Sequence, residues 1–106
     1  MTWVRKSTFR QLQLYRLLGH APPSYGHVPL VLGMDGRRLA KRHGDTRLSS
    51  YRKQGIRPEQ IVGWAAHSVG LKDSAQPSKA DEIIELFDWR ALVSTDTRVD
   101  PIGLFQ

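Results

Sequence analysis

The sequence predicts an α+β fold, mostly α, in which a small β-hairpin carries a cationic loop and a helical module follows. Three observations predict it. A β-prone run, His27-Val28-Pro29-Leu30-Val31-Leu32, ends at the turn-forming Gly33-Met34-Asp35-Gly36 and returns through Arg37-Arg38-Leu39. Arg37, Arg38, Lys41 and Arg42 then crowd a short stretch with little apolar anchoring. Finally, segments 48–54, 58–69 and 79–87 show helical spacing of apolar residues and helix punctuation.

Taken in order, Ser7 or Thr8 is placed to cap a helix running to about Leu18, with Gly19 as a left-handed terminator. Phe9, Leu12, Leu14, Tyr15, Leu17 and Leu18 wrap most of that cylinder, so it needs more than one packing neighbour. Ala21-Pro22-Pro23-Ser24 breaks the helix, and Pro29 confines the following strand to an edge or a strand start. Ala40 to Thr46 is the segment expected to move most, with Gly44 adding backbone freedom. A short helix around Leu48 to Gln54 stops at Gly55, and Pro58 opens the next. In that helix Ile61, Val62, Ala65, Ala66 and Val69 share the inward face, while Glu59, Gln60, Gly63 and His67 lie opposite. Ser78 with Asp81 makes a capping-box-like start for the last helix, whose inward face is Ala80, Ile83, Ile84, Leu86 and Phe87. Asp88 to Leu92 adds a further turn, and the tail to Gln106 is weakly patterned.

A chain of 106 residues closes one modest core and cannot house a complete multi-step ligase. Its charge is polarised. Residues 1–57 hold twelve Lys or Arg against two acids, whereas residues 58–106 hold four against eight. Such a field draws a polyanion to one end of the molecule. There is no cysteine, and His20, His27, His43 and His67 lack metal-ligand spacing, so no metal is expected to be bound by this chain. The start, Met1-Thr2-Trp3-Val4-Arg5-Lys6, lacks a signal-peptide core, and no run of about 18 apolar residues occurs. The chain is therefore read as soluble, cytoplasmic and without a membrane partner.

Chemistry concentrates in Gly36-Arg37-Arg38-Leu39-Ala40-Lys41-Arg42-His43-Gly44-Asp45. A lysine offers a compact charge that can follow a phosphate group, and arginine can grip two oxygens in a fixed fork. Phosphate is the natural ligand of such a loop.

Arg38-Leu39-Ala40-Lys41-Arg42-His43-Gly44 resembles the second signature of class I aminoacyl-tRNA synthetases, the KMSKS loop, in its glutamyl-branch form Lys-Leu-Ser-Lys-Arg-His-Gly. The likeness extends upstream through Ser7 to Gln11, Leu17-Leu18-Gly19 and Tyr25 to Gly33, and downstream through Asp45 to Glu59. It implies that residues 1–46 end a catalytic region and residues 47–106 form a helical stem-contact-like module, together one structural unit. It further implies ATP binding by Arg38, Leu39, Ala40, Lys41 and Arg42. Lys41 takes the place of the catalytic lysine, Arg38 replaces the first lysine, and Ala40 replaces a serine hydroxyl. Mg2+ is expected to accompany ATP, glutamate to bind elsewhere, and tRNA to meet Arg47, Arg52, Lys53 and Arg57.

Asp45-Thr46-Arg47 and Glu85-Leu86-Phe87-Asp88 resemble the shorter branch that attaches glutamate to queuosine in tRNA(Asp), with tRNA(Glu) as the other acceptor. The first class I signature, His-x-Gly-His, appears nowhere, so the 106-residue chain alone is expected to be inactive. His27 and His43 also fall at positions of the family pattern and are read first as structural hydrogen-bonding groups. An alternative reading is a stand-alone nucleic-acid-binding module, since segments 48–54 and 58–69 have helix-turn-helix spacing. Against it, the second segment holds no Lys or Arg to read base edges.

Overall fold

A computed structural model describes residues 6–105; the reading of Met1 to Arg5 as devoid of a signal-peptide core lies outside them. Helix α1 (Lys6–Leu17) is followed by strand β1 (Val31–Gly33), a 3-10 turn (Lys41–His43), α2 (Leu48–Lys53) and α3 (Pro58–Ser68). Helix α4 (Ala80–Leu86), a second 3-10 turn (Trp89–Ala91) and strand β2 (Thr97–Val99) complete the order.

The sheet differs from the expected hairpin in its principal partner. Leu32 makes one isolated antiparallel bridge to Arg38 across the Gly33–Gly36 turn. The ladder itself is parallel, pairing Val31, Leu32 and Gly33 with Thr97, Arg98 and Val99. Parallel strands need a long crossover, and here it contains all of α2, α3 and α4. Two bonds extend the register beyond the strands: Thr97 N–H donates to the Leu30 carbonyl at 2.9 Å, and Leu30 N–H to Asp96 Oδ1 at 2.7 Å.

The tail that showed little pattern is therefore a structural strap. Beyond β2, the buried Tyr51 of α2 donates its hydroxyl to the Pro101 carbonyl at 3.0 Å. Phe105 stands nearly perpendicular to both Tyr51 and Trp64, at centroid distances of 5.1 and 6.1 Å. Burial pushes the Tyr51 phenol up from its ordinary range, with the negative charges of Asp45 and Asp100 adding to it.

Helix ends follow local chemistry, with two corrections at ends and one on a helix face. Gly19 and Gly55 adopt φ of 73° and 83°, and Ile56 N–H returns to the Tyr51 carbonyl to close α2. Pro58 opens α3, where the Gln60 side chain accepts the Arg57 N–H at 2.9 Å. Ser7 and Thr8, however, lie inside α1 rather than capping it, and Thr8 is buried with its hydroxyl 3.5 Å from His27 Nε2. Ser78 does not cap α4 either. Lys79 occupies that position, while the buried Ser78 hydroxyl takes a bond from Lys72 Nζ. Gly63, assigned to the outward face of α3, is buried against the backbone of Gln76 and Pro77. Having no side chain, it lets that segment approach, and Ser78 N–H reaches the Glu59 carbonyl at 3.0 Å.

The core is thin. Among the described residues the buried apolar side chains are Tyr51, Ala66, Val99 and Pro101. The radius of gyration is 16.6 Å, against about 13 Å for a compact chain of this length. Leu14 and Leu17 of α1 stay exposed with Leu18 just beyond it, as does much of the apolar face of α4, where Ile84 is 74% exposed. Of the face expected to turn inward on the last helix, Ala80, Ile83, Ile84 and Phe87 line an open groove of about 470 Å³ with Val62, and Leu86 is exposed.

Candidate functional site

The cationic segment contains a short hydrogen-bonded turn. Residues Lys41–His43 form a 3-10 turn, with Ala40 extended at its start and Gly44 at φ 106° after it. His43 N–H donates to the Ala40 carbonyl at 2.9 Å, and Gly44 N–H to the Lys41 carbonyl at 3.1 Å.

Asp35, in the turn after β1, fixes this segment from outside. One carboxylate oxygen accepts Arg37 N–H at 3.0 Å and meets His43 Nε2 at 2.8 Å; the other takes Arg42 Nε at 3.4 Å. These donors hold its carboxyl well below the usual carboxylate range, the His43 bond contributing most. The opposite ring nitrogen, His43 Nδ1, accepts the Ala40 backbone N–H at 3.1 Å. A nitrogen that accepts from an amide carries no proton of its own, so the Nε2 proton points at Asp35. The ring lies on Gly33, where a Cβ would overlap it.

Lys41 projects outward from the tethered turn. It is exposed, and its amine makes no hydrogen bond or ion pair among the described residues. With Ala40, Gly44, Asp45, Thr46 and Arg47 it lines an open cleft of about 650 Å³. Asp45 receives Arg47 through two side-chain bonds, of 2.9 and 2.8 Å, and a backbone bond of 3.1 Å. That pairing lowers the Asp45 carboxyl to about 2 and raises the Arg47 guanidinium.

The other expected phosphate ligands are not all gathered in this cleft. Arg38 is exposed but does not line it, and Leu39 is half-buried. Arg42 turns back, donating to Asp35 and, at 3.2 Å, to the Arg38 carbonyl. Arg47, assigned to tRNA, lines the Lys41 cleft from the N-cap of α2, while Arg52, Lys53 and Arg57 are exposed from the end of α2 to the start of α3. Sequence reasoning missed the part of Asp35, which looked like a turn residue. Its signal was an acid just ahead of four bases, two residues beyond a glycine.

Among the described residues no group of three or more His, Cys, Asp or Glu could hold a metal ion, and no helix is long and apolar enough to cross a membrane. No protein-family model matches the chain. Individual proteins do. Glutamyl-Q tRNA(Asp) synthetase of Rhodopirellula baltica is 56% identical over 105 residues, covering 92% of this chain and 32% of that protein. The chain belongs to the class I aminoacyl-tRNA synthetases of the glutamyl type. Glutamyl-Q tRNA(Asp) synthetase of Symbiobacterium thermophilum is 45% identical over 93 residues, 88% of this chain and 29% of its own length. Glutamate--tRNA ligase 2 of Halorhodospira halophila is 40% identical over 82 residues, 77% of this chain and 17% of its own length. The chain thus spans about a third or less of the synthetases it matches.

Proposed function

We propose that this chain supplies the ATP-facing lysine loop and a tRNA-facing basic surface to a glutamyl-transferring synthetase of the kind that charges queuosine in tRNA(Asp). The observation that carries the reading is the placement of Lys41: an unpaired amine on a tethered turn, at the rim of an open cleft. The two glutamyl-Q relatives share 56% and 45% identity and are covered over 32% and 29% of their length. The glutamate--tRNA ligase shares 40% and is covered over 17%. The 56% identity to the first glutamyl-Q relative supports queuosine over the tRNA(Glu) terminus as acceptor.

In the first step a glutamate carboxylate oxygen bonds to the α-phosphorus of ATP. The bond to the bridging oxygen breaks, and pyrophosphate leaves with the electron pair. Negative charge grows on the departing phosphates, and the Lys41 ammonium balances it without giving up a proton. Mg2+ entering with ATP would supply further positive charge; the residues lining the cleft offer it one carboxylate, Asp45, already committed to Arg47. Arg38 lies outside the cleft and adds to the field around it. Arg52, Lys53 and Arg57 meet tRNA phosphates from the α2–α3 corner, within a stem-contact-like module.

Glutamate and adenosine need groups beyond this segment, so the isolated chain forms no glutamyl-adenylate. Exchange of labelled pyrophosphate into ATP with glutamate present stays at background; a rate above background refutes the division of labour. Binding to tRNA(Asp) exceeds binding to duplex DNA across a salt series. Removing Arg52 lowers the salt slope by about one. Equal affinity for the duplex favours a stand-alone nucleic-acid-binding module instead.

A further inference from the structure

We propose that His43 is a positioning residue for Lys41, acting as a neutral bridge whose Nδ1 accepts the Ala40 N–H while its Nε2–H is anchored on Asp35. The inference rests on the reading of Lys41 as the amine that faces the triphosphate, and adds how that amine is held.

Lys41 is the first residue of a turn only three residues long, and so short a turn has little stability of its own. No side chain caps its start, because Ala40 has no oxygen to offer. The His43 ring fills that gap from the other end. It reaches back over the turn to the Ala40 N–H at 3.1 Å, as a Glu or Gln does in a capping box. The ring is itself oriented by the 2.8 Å contact to Asp35, and only 10% of its side chain is exposed. Gly33 leaves the space in which it lies. Asp35 is in turn oriented by Arg37 N–H and Arg42. Strand β1 therefore reaches Lys41 through Gly33, His43 and Ala40, and the tail strand β2 fixes β1.

The arrangement requires a particular proton location. With the proton on Nδ1, the ring would face the Ala40 N–H donor to donor, and the turn would open. Asparagine can replace one half of the bridge, its side-chain oxygen standing near Nδ1. Alanine replaces neither half.

The test uses the isolated chain labelled with 15N at about pH 7.5, above the ordinary imidazole range. Long-range nitrogen–proton correlation reads the His43 tautomer, amide exchange reads Ala40, and 15N relaxation reads the order of Lys41. Inorganic tripolyphosphate is the anion probe. We expect the Nε2–H form. His43→Ala should speed Ala40 exchange at least about tenfold, loosen the Lys41 amide and weaken tripolyphosphate binding about fivefold, with the helical circular dichroism intact. His43→Asn should restore Ala40 protection and Lys41 order, and bring binding to within about twofold of the parent. An Nδ1–H tautomer, or a Lys41 amide equally ordered in His43→Ala, overturns the inference. If tripolyphosphate binds no differently after Lys41→Ala, the proposed nucleotide role fails, while the tautomer and relaxation results still decide the positioning role by themselves.

Discussion

Substituting Gly33 by alanine would place a methyl group where the His43 ring now lies, since an ideal Cβ there overlaps Nε2 and Cδ2. Gly33 is not among the glycines with positive φ, so alanine meets no backbone penalty and the ring is the obstacle. The ring has to leave a largely buried position and give up the Ala40 N–H. Overpacking of this kind costs about 1–3 kcal/mol, and the lost bond to a neutral ring nitrogen falls within that range. The exposed Asp35 contact adds little to that cost because solvent screens it. A loss of about 2 kcal/mol lowers Tm by roughly 8–16 °C in a chain of this size. Thermal unfolding followed by circular dichroism measures it, and the Ala40 amide should lose protection in the same variant. A Tm within about 2 °C of the parent, with Ala40 still protected, refutes the reasoning that Gly33 exists to seat His43.

Ala40→Ser should supply the missing cap at the start of the turn and stabilise it by about 0.5–1 kcal/mol, read as slower exchange of the Arg42 and His43 amides. Tyr51→Phe should remove the bond to the buried Pro101 carbonyl and cost about 1–2 kcal/mol, seen as a lower urea midpoint at unchanged slope. Asp45 has its folded-state pKa depressed from 3.8 to about 2, so the unfolded chain binds the proton more tightly between those values. Its contribution to stability is complete above pH 3.8 and is lost as pH falls toward 2; an acid titration of Tm should show that loss reduced in Asp45→Asn.

The helices were legible because their punctuation is local. Gly19, Gly55 and Pro58 mark ends that are visible within a few residues. The sheet was not legible, because β2 is three residues long and its partner lies 66 positions away. Thr97 and Val99 are β-branched and flanked by acids, but so short a run has no period to detect. Gly63 was misplaced for a related reason: a helical wheel scores a glycine as neutral, whereas its value here is the close approach of Gln76. At the site, the position of Lys41 on a cationic loop could be read from charge. Its tether could not, because the joint roles of Asp35, His43 and Gly33 depend on a turn geometry that only the folded chain displays.

The role of the Lys41 amine is tested most directly in a full-length hybrid, in which this segment replaces its counterpart in the Rhodopirellula baltica relative with which it shares 56% identity. Pyrophosphate exchange is then compared between the hybrid and its Lys41→Ala form. Loss of a charge that acts mainly in the transition state should lower kcat by about 100- to 1,000-fold and leave the KM for ATP within about threefold. An unchanged kcat, or a loss confined to KM, would contradict the account.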